Sequence, residues 1–123
     1  MKRKKSTLVI VIPISLSFRA ALWIALDYVR CISAYSQSES IMLDKLCSVL
    51  QTHDGADQIV DIEFSERELS FSRKCVRLAC QYLDRPIPNS PDFLDPMISK
   101  ELEEYALYIR SLSDALSHAA SRL

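Results

Sequence analysis

Glycine is almost missing from this chain: one residue, Gly55, occurs among 123. Loops that cradle phosphate groups with bare backbone, and folds with many tight turns at positive φ, need several glycines. Phosphate-cradling loops and dinucleotide-binding fingerprints are therefore excluded. Helices need few glycines, so the scarcity predicts a mainly helical protein.

Net charge is also low, with 15 basic and 16 acidic residues and a formal charge of −1. No overall electrostatic field therefore attracts nucleic acid or a membrane surface. A local concentration of positive charge, residues 2–5, lies in the N-terminal segment MKRKKST. We expect residues 1–7 to form a disordered, solvated basic tail, with a nucleic-acid-binding arm as the alternative.

Cysteine and histidine are too few and too dispersed to predict a metal site or a disulfide framework. The four cysteines contain no C-x-x-C pair, and Cys47 and Cys75 lie in apolar stretches. We expect buried free thiols, which favour a cytoplasmic location. His53, Asp54 and Asp57 could hold a hydrated cation, but residues of these types around a glycine more often form a turn. We therefore expect no metal and no cofactor.

The longest apolar stretch, residues 8–33, has two main interpretations. Residues 1–17 match the basic and apolar regions of a secretion signal, which would make the protein secreted, although the small residues needed for cleavage are poorly placed. A membrane span is not expected, because Pro13 and Arg19 interrupt the run. We favour a buried β-strand over residues 8–14 and a long apolar helix that Ser15 or Ser17 caps.

An internal repeat supports the folded interpretation. Residues 60–82 reproduce the pattern of residues 10–32 with an offset of fifty positions. In both copies, apolar residues first alternate with other residues, as in a β-strand, and then recur at the spacing of a helix. The change occurs at a serine, Ser15 in the first copy and Ser65 in the second. Because the second copy cannot be a signal peptide, the first copy need not be one. The alternative is that two unrelated strand-helix junctions match by chance in a chain that is 49% hydrophobic.

Further elements follow from the spacing of apolar residues. A second helix is predicted over residues 39–52, with Ser38 or Ser40 as its cap. A second strand, residues 58–64, has one apolar and one polar face, whereas both faces of the first strand are apolar and predict burial on both sides. Ser65 and Glu68 form a capping box that opens a third helix, residues 65–84.

The last part of the chain begins with a proline-rich loop, residues 85–96, and continues as one long helix. Apolar residues recur there at alternating spacings of four and three, which is a heptad stripe. The stripe consists of Ile98, Leu102, Tyr105, Ile109, Leu112, Leu116, Ala119 and Leu123. Its small neighbours suit close packing within a helical bundle, and a homodimer seam is the alternative.

Together these elements predict a predominantly helical α+β fold. It consists of a duplicated β-α-α unit, with a two-stranded sheet packed against a bundle of about four helices. We expect residues 8–123 to form a single globular domain, with repeat units at about residues 8–54 and 58–123.

The order of elements superficially resembles that of ribbon-helix-helix proteins, at residues 10–13 and at the Ser38-Glu39 dipeptide. Two of the predicted helices are too long for that pattern. A ribbon that reads a DNA groove also needs polar or basic side chains, whereas these strands would present two valines, Asp61 and Glu63. We therefore assign the chain to no family.

The surplus apolar surface predicts a non-enzymatic protein-interaction module that associates with itself as a homodimer. The candidate interface comprises Val9, Val11, Trp23, Leu102, Tyr105, Ile109, Leu112 and Leu116. The alternative is a small nucleic-acid-binding regulator that uses the basic tail and the third helix. Its candidate basic patch comprises Arg67, Arg73, Lys74 and Arg77. No catalytic residue is predicted, because neither His53 nor His118 has a recognisable nucleophile motif beside it.

Overall fold

A computed structural model describes residues 9–32, 35–52, 58–84 and 96–121. The elements in order are β1 (Val9–Ile14), α1 (Leu16–Ile32), α2 (Gln37–Thr52), β2 (Val60–Ser65), α3 (Glu66–Asp84), α4 (Pro96–Glu104) and α5 (Ala106–Ala120). The predicted helical α+β fold is therefore confirmed. The predictions for the basic tail, the turn at residues 53–57, the loop at residues 85–95 and Leu123 lie outside the described residues.

The two strands form an antiparallel ribbon. Ile12 lies opposite Ile62, Ile10 opposite Phe64, and Ile14 opposite Val60. These side chains point toward the helices, and those of Ile14 and Phe64 are fully buried. The ribbon therefore supplies one wall of the hydrophobic core.

The other face of the ribbon is open, which corrects the expectation that both faces of β1 are buried. Val9 is 50% exposed and Val11 is 46% exposed. The reason is that the helices cover the face that carries Ile12 and Ile62, and side chains alternate between the two faces of a strand.

Local capping signals fix where the first and third helices begin. The Phe18 N–H donates to Ser15 Oγ at 3.2 Å, so Ser15 caps α1 as predicted. The Glu68 N–H donates to Ser65 Oγ at 3.1 Å, and the Ser65 N–H donates to Glu68 Oε1 at 2.9 Å. This reciprocal pair is the predicted capping box, which satisfies two backbone donors that the helix itself leaves free.

The start of α2 differs from the prediction. The helix begins at Gln37, and its cap is Ser36 rather than Ser38 or Ser40. The Glu39 N–H donates to Ser36 Oγ at 3.2 Å, while the Ser36 N–H donates to Glu39 Oε1 at 2.9 Å. A second capping box therefore opens α2, with the same serine-to-glutamate spacing as the box that opens α3.

Helix α1 lies at the centre of the fold and packs against α2, α3, α4 and α5. Its buried apolar residues point in nearly every direction around the helix axis. They are Ala21, Leu22, Ile24, Ala25, Leu26, Tyr28 and Val29. A helix that is apolar almost all round is stable only when partners cover it, and these four helices supply that cover.

The predicted long C-terminal helix is broken in two. Tyr105 has φ −104° and ψ 18°, outside the range of a regular helix, so α4 ends before it and α5 begins after it. Helix α4 packs mainly on α1, whereas α5 packs on both α1 and α3. Hydrogen bonds still bridge the break: the Tyr105 N–H donates to the Glu101 carbonyl oxygen at 2.9 Å, and the Tyr105 carbonyl oxygen accepts from the Ile109 N–H at 2.8 Å.

Candidate functional site

The structure divides the predicted interface residues into two groups. Leu102, Ile109, Leu112 and Leu116 have no exposed surface, because they pack into the core of the chain itself. Trp23 and Tyr105 are partly buried against that core. Val9 and Val11 are exposed to solvent, so the exposed part of the predicted interface lies on the ribbon.

The outer ribbon face consists of Val9, Val11 and Pro13 on β1 and of Asp61, Glu63 and Ser65 on β2. The register sets Val9 beside Ser65, Val11 beside Glu63, and Pro13 beside Asp61. Adjacent strands lie about 4.8 Å apart, so an apolar row runs directly alongside an acidic row. Both carboxylates are exposed.

A cleft of about 350 Å³ continues from the outer ribbon face toward α2. Asp61, Glu63 and Glu68 contribute acidic groups to its walls, and Val49 contributes an apolar side chain. Lys45, which also lines the cleft, donates a hydrogen bond to Glu68 Oε2. The acidic character of the ribbon therefore extends into a concave surface beside it.

A second concave surface, the basic cleft, lies between the N-terminal end of α2 and the outer face of α3. Its volume is about 340 Å³. It is lined by Ser36, Ser38, Glu39, Met42, Arg67, Ser70, Phe71, Arg73, Lys74 and Arg77. The four residues of the predicted basic patch therefore lie together, as their helical spacing indicated. Sequence analysis missed the three serines, although the Ser36 to Glu39 spacing could have placed the start of α2.

One cation of the basic cleft is paired, and three are not. Lys74 Nζ lies 3.0 Å from Glu39 Oε1. A hydrogen bond from the Ser36 N–H and the contact with Lys74 together lower the pKa of the Glu39 carboxyl against the opposing effect of burial. Among the described residues, none forms an ion pair with Arg67, Arg73 or Arg77.

A third cavity, of about 400 Å³, lies between α1, α2 and α4. Trp23 and Tyr105 supply its aromatic lining, and Arg19 and Glu101 supply charges. Arg19 is buried and donates from Nη1 to the carbonyl oxygens of Ile14 at 2.9 Å and Gln58 at 3.2 Å. These bonds join the end of β1 to the approach to β2, so the guanidinium has a structural role at the ribbon.

The chemistry of the described residues is sparse. Cys47 and Cys75 are buried and free, as predicted, and burial raises the pKa of the Cys75 thiol to about 12. No group of three or more metal-ligating side chains converges within the part of the chain that the structure describes. The candidate cation site at His53, Asp54 and Asp57 lies outside those residues.

The helices in the described ranges offer no membrane crossing, since none combines sufficient length with sufficient apolar character. We also compared the chain with protein-family models, with curated proteins and with solved structures, and no match was found in any of the three comparisons.

Proposed function

We propose that the protein is a non-enzymatic interaction module that binds a basic, amphipathic segment of a protein partner through the outer ribbon face. The observation that supports this proposal is the exposed apolar row of β1 beside the acidic row of β2. A complementary segment would place apolar side chains on Val9, Val11 and Pro13, and lysine or arginine side chains on Asp61 and Glu63.

Each row has a separate physical role in this proposal. Covering the half-exposed Val9 and Val11 would contribute on the order of 1 kcal/mol each through burial of apolar surface. Exposed ion pairs contribute about 0.2–1 kcal/mol each, but they steer association and disfavour acidic competitors. The valines therefore supply affinity, and the carboxylates select the charge of the partner.

A second copy of the chain fits this surface less well. Stacking two outer ribbon faces would bring the Asp61 and Glu63 carboxylates of both copies into one interface. Lys45, the basic residue of the adjoining cleft, already pairs with Glu68. Like charges brought together in this way oppose association. The heptad stripe supports a dimer seam less well than the ribbon does, because its central leucines are buried within the chain itself.

The nucleic-acid alternative is supported less by the geometry. The outer ribbon face is acidic and would repel phosphate groups. The basic residues of α3 border a short cleft that also contains Glu39, rather than an extended basic stripe with exposed aromatic residues.

Selection of peptides displayed on phage against the immobilised full-length protein would test the proposal. Val11→Asp and the double variant Asp61→Lys/Glu63→Lys serve as counter-targets. We expect enrichment of peptides that combine apolar residues with lysine or arginine. Binding should weaken at least tenfold in both variants, and for the wild type it should decrease as salt increases.

Leu107→Asp on α5 is a suitable control, since Leu107 is exposed and lies in a different element. It should leave peptide affinity unchanged. Enrichment of acidic peptides, or equal binding to the wild type and Val11→Asp, would contradict the proposal. A dimer that Val11→Asp dissociates, as measured by analytical ultracentrifugation, would favour self-association instead.

A further inference from the structure

The basic cleft has features that the proposed interaction function does not use. Arg67, Ser70, Lys74 and Arg77 follow one another on α3 at spacings of three, four and three, so they share one side of the helix. Arg73 precedes Lys74 and lies at the edge of the same side. Four cations and one carboxylate, that of Glu39, leave a formal charge of +3 in the cleft.

The opposite wall of the cleft is the first turn of α2. Its capping box involves the N–H groups of Ser36 and Glu39. The N–H groups of Gln37 and Ser38 lie in the same turn and do not take part in the capping box. The Ser36 and Ser38 hydroxyl oxygens are 3.2 Å apart at the mouth of the cleft. One of these hydroxyls donates to the other, so the pair leaves one O–H that can donate to a ligand. Backbone donors at a helix N-terminus favour an anion, and this hydroxyl accompanies them.

Arg73 supplies an independent observation. Its Nε atom is buried and has no hydrogen-bond partner in the described part of the chain. A buried donor without an acceptor is unfavourable, so an acceptor supplied by a ligand would be favourable there. Because none of the described residues accepts a hydrogen bond from Nε, rotation of the guanidinium toward an anion in the cleft would break no hydrogen bond with them at that atom.

We propose that the basic cleft binds the phosphate group of a small phosphate monoester. A monoester carries about −1.5 to −2 charges at neutral pH, which the arginines without ion pairs would balance. The fork of a guanidinium matches two phosphate oxygens at once. The volume of about 340 Å³ lies near the lower limit of small-molecule sites, so the rest of the ligand is small.

Isothermal titration of the full-length protein with phenyl phosphate and with inorganic phosphate, at low ionic strength, tests this site. We expect saturable binding of phenyl phosphate, with inorganic phosphate as a weaker competitor. Arg73→Gln and Arg77→Gln should each weaken binding at least tenfold. Lys100→Gln on α4 removes the same charge from an exposed position outside the cleft and should weaken binding less than twofold.

Two outcomes would overturn the proposal. One is that the wild type shows no saturable binding, or that Lys100→Gln weakens binding as much as Arg77→Gln does, which would show that only overall charge matters. The other is that the protein binds single-stranded DNA tightly and phosphate does not displace it. In that case, replacement of residues 2–5 by alanine should also weaken DNA binding. The site is independent of the outer ribbon face, so Val11→Asp should leave phosphate binding intact.

Discussion

Glu68 is a buried acidic residue, 6% exposed, that the fold keeps ionised. Burial raises the pKa of its carboxyl, but hydrogen bonds from the Lys45 ammonium and from the Ser65 N–H outweigh burial. The pKa in the folded protein is therefore below the ordinary value of 4.5. At neutral pH this carboxylate both completes the capping box of α3 and holds α2 through Lys45.

Stability should therefore depend on pH through Glu68. A carboxyl whose pKa is lower in the folded state contributes stability above its unfolded pKa, and this contribution is lost as pH falls through the folded pKa. We expect Glu68→Gln to lower the free energy of unfolding by about 2 kcal/mol at pH 7, and by progressively less as pH falls below 4.5 and through the folded pKa. Urea denaturation of the wild type and the variant, at neutral and at acidic pH, measures both differences in the free energy of unfolding. Glu103→Gln, at an exposed position, should show no such difference; equal pH profiles for wild type and Glu68→Gln would contradict the assignment.

Two serines of the same region make opposite contributions to stability. Ser72 is fully buried, and its hydroxyl has no partner among the described residues. We expect Ser72→Ala to leave stability unchanged or to raise it by about 1 kcal/mol, because a buried unpaired hydroxyl is unfavourable. Ser65→Ala removes the cap of α3 and should lower stability by about 1 kcal/mol. Thermal unfolding of the two variants measures both changes in stability. If Ser72→Ala lost as much stability as Ser65→Ala, the Ser72 hydroxyl would have a hydrogen-bond partner outside the described residues.

Helix starts were predictable from the sequence where local chemistry decides them. The Ser65 to Glu68 spacing located the start of α3, since both groups of a capping box lie within one turn. The equivalent Ser36 to Glu39 spacing carries the same information, but the serine-rich segment around it offered competing caps. The break at Tyr105 was not predictable, because the apolar stripe runs through it and residues 97–121 contain neither proline nor glycine to signal a break.

Helix α5 provides a matched pair of leucines for testing the stripe. Leu112 is fully buried, whereas Leu107 is 78% exposed. We expect Leu112→Asp to abolish cooperative folding, because a buried unpaired carboxylate costs several kcal/mol, a large fraction of the stability of a small domain. Leu107→Asp should change the free energy of unfolding by less than about 0.5 kcal/mol. Circular dichroism during urea denaturation distinguishes the two; a cooperative transition in Leu112→Asp would show that the core does not depend on this stripe.

At the scale of the whole molecule, neither surface was fully predictable. The sequence indicated that the arginines of α3 share a face, because helical spacing is local. It did not place Ser36 and Ser38 against them, since that contact joins segments about thirty to forty residues apart in the chain. The outer ribbon face likewise depends on how β1 and β2 pair, and the sequence left the direction of pairing open.

The two strands of the predicted repeat pair with each other in the folded protein. Ile12 lies opposite Ile62, its own counterpart in the fifty-residue repeat. Ile10 lies opposite Phe64, and Ile14 lies opposite Val60. Antiparallel pairing therefore brings the two predicted repeat units into direct contact at the central isoleucine pair.

A double-mutant cycle at the central pair measures how strongly the ribbon couples the two halves. Ile12→Ala and Ile62→Ala should each lower the free energy of unfolding by about 2–5 kcal/mol, because both side chains are buried. Since the residues face each other across the strands, we expect a coupling energy of about 1 kcal/mol from urea denaturation of the single and double variants. The control cycle combines Ile12→Ala with Ile98→Ala on α4 and should be additive within about 0.5 kcal/mol. Additivity at Ile12 and Ile62 would instead mean that the helices, and not the ribbon, hold the halves of the chain together.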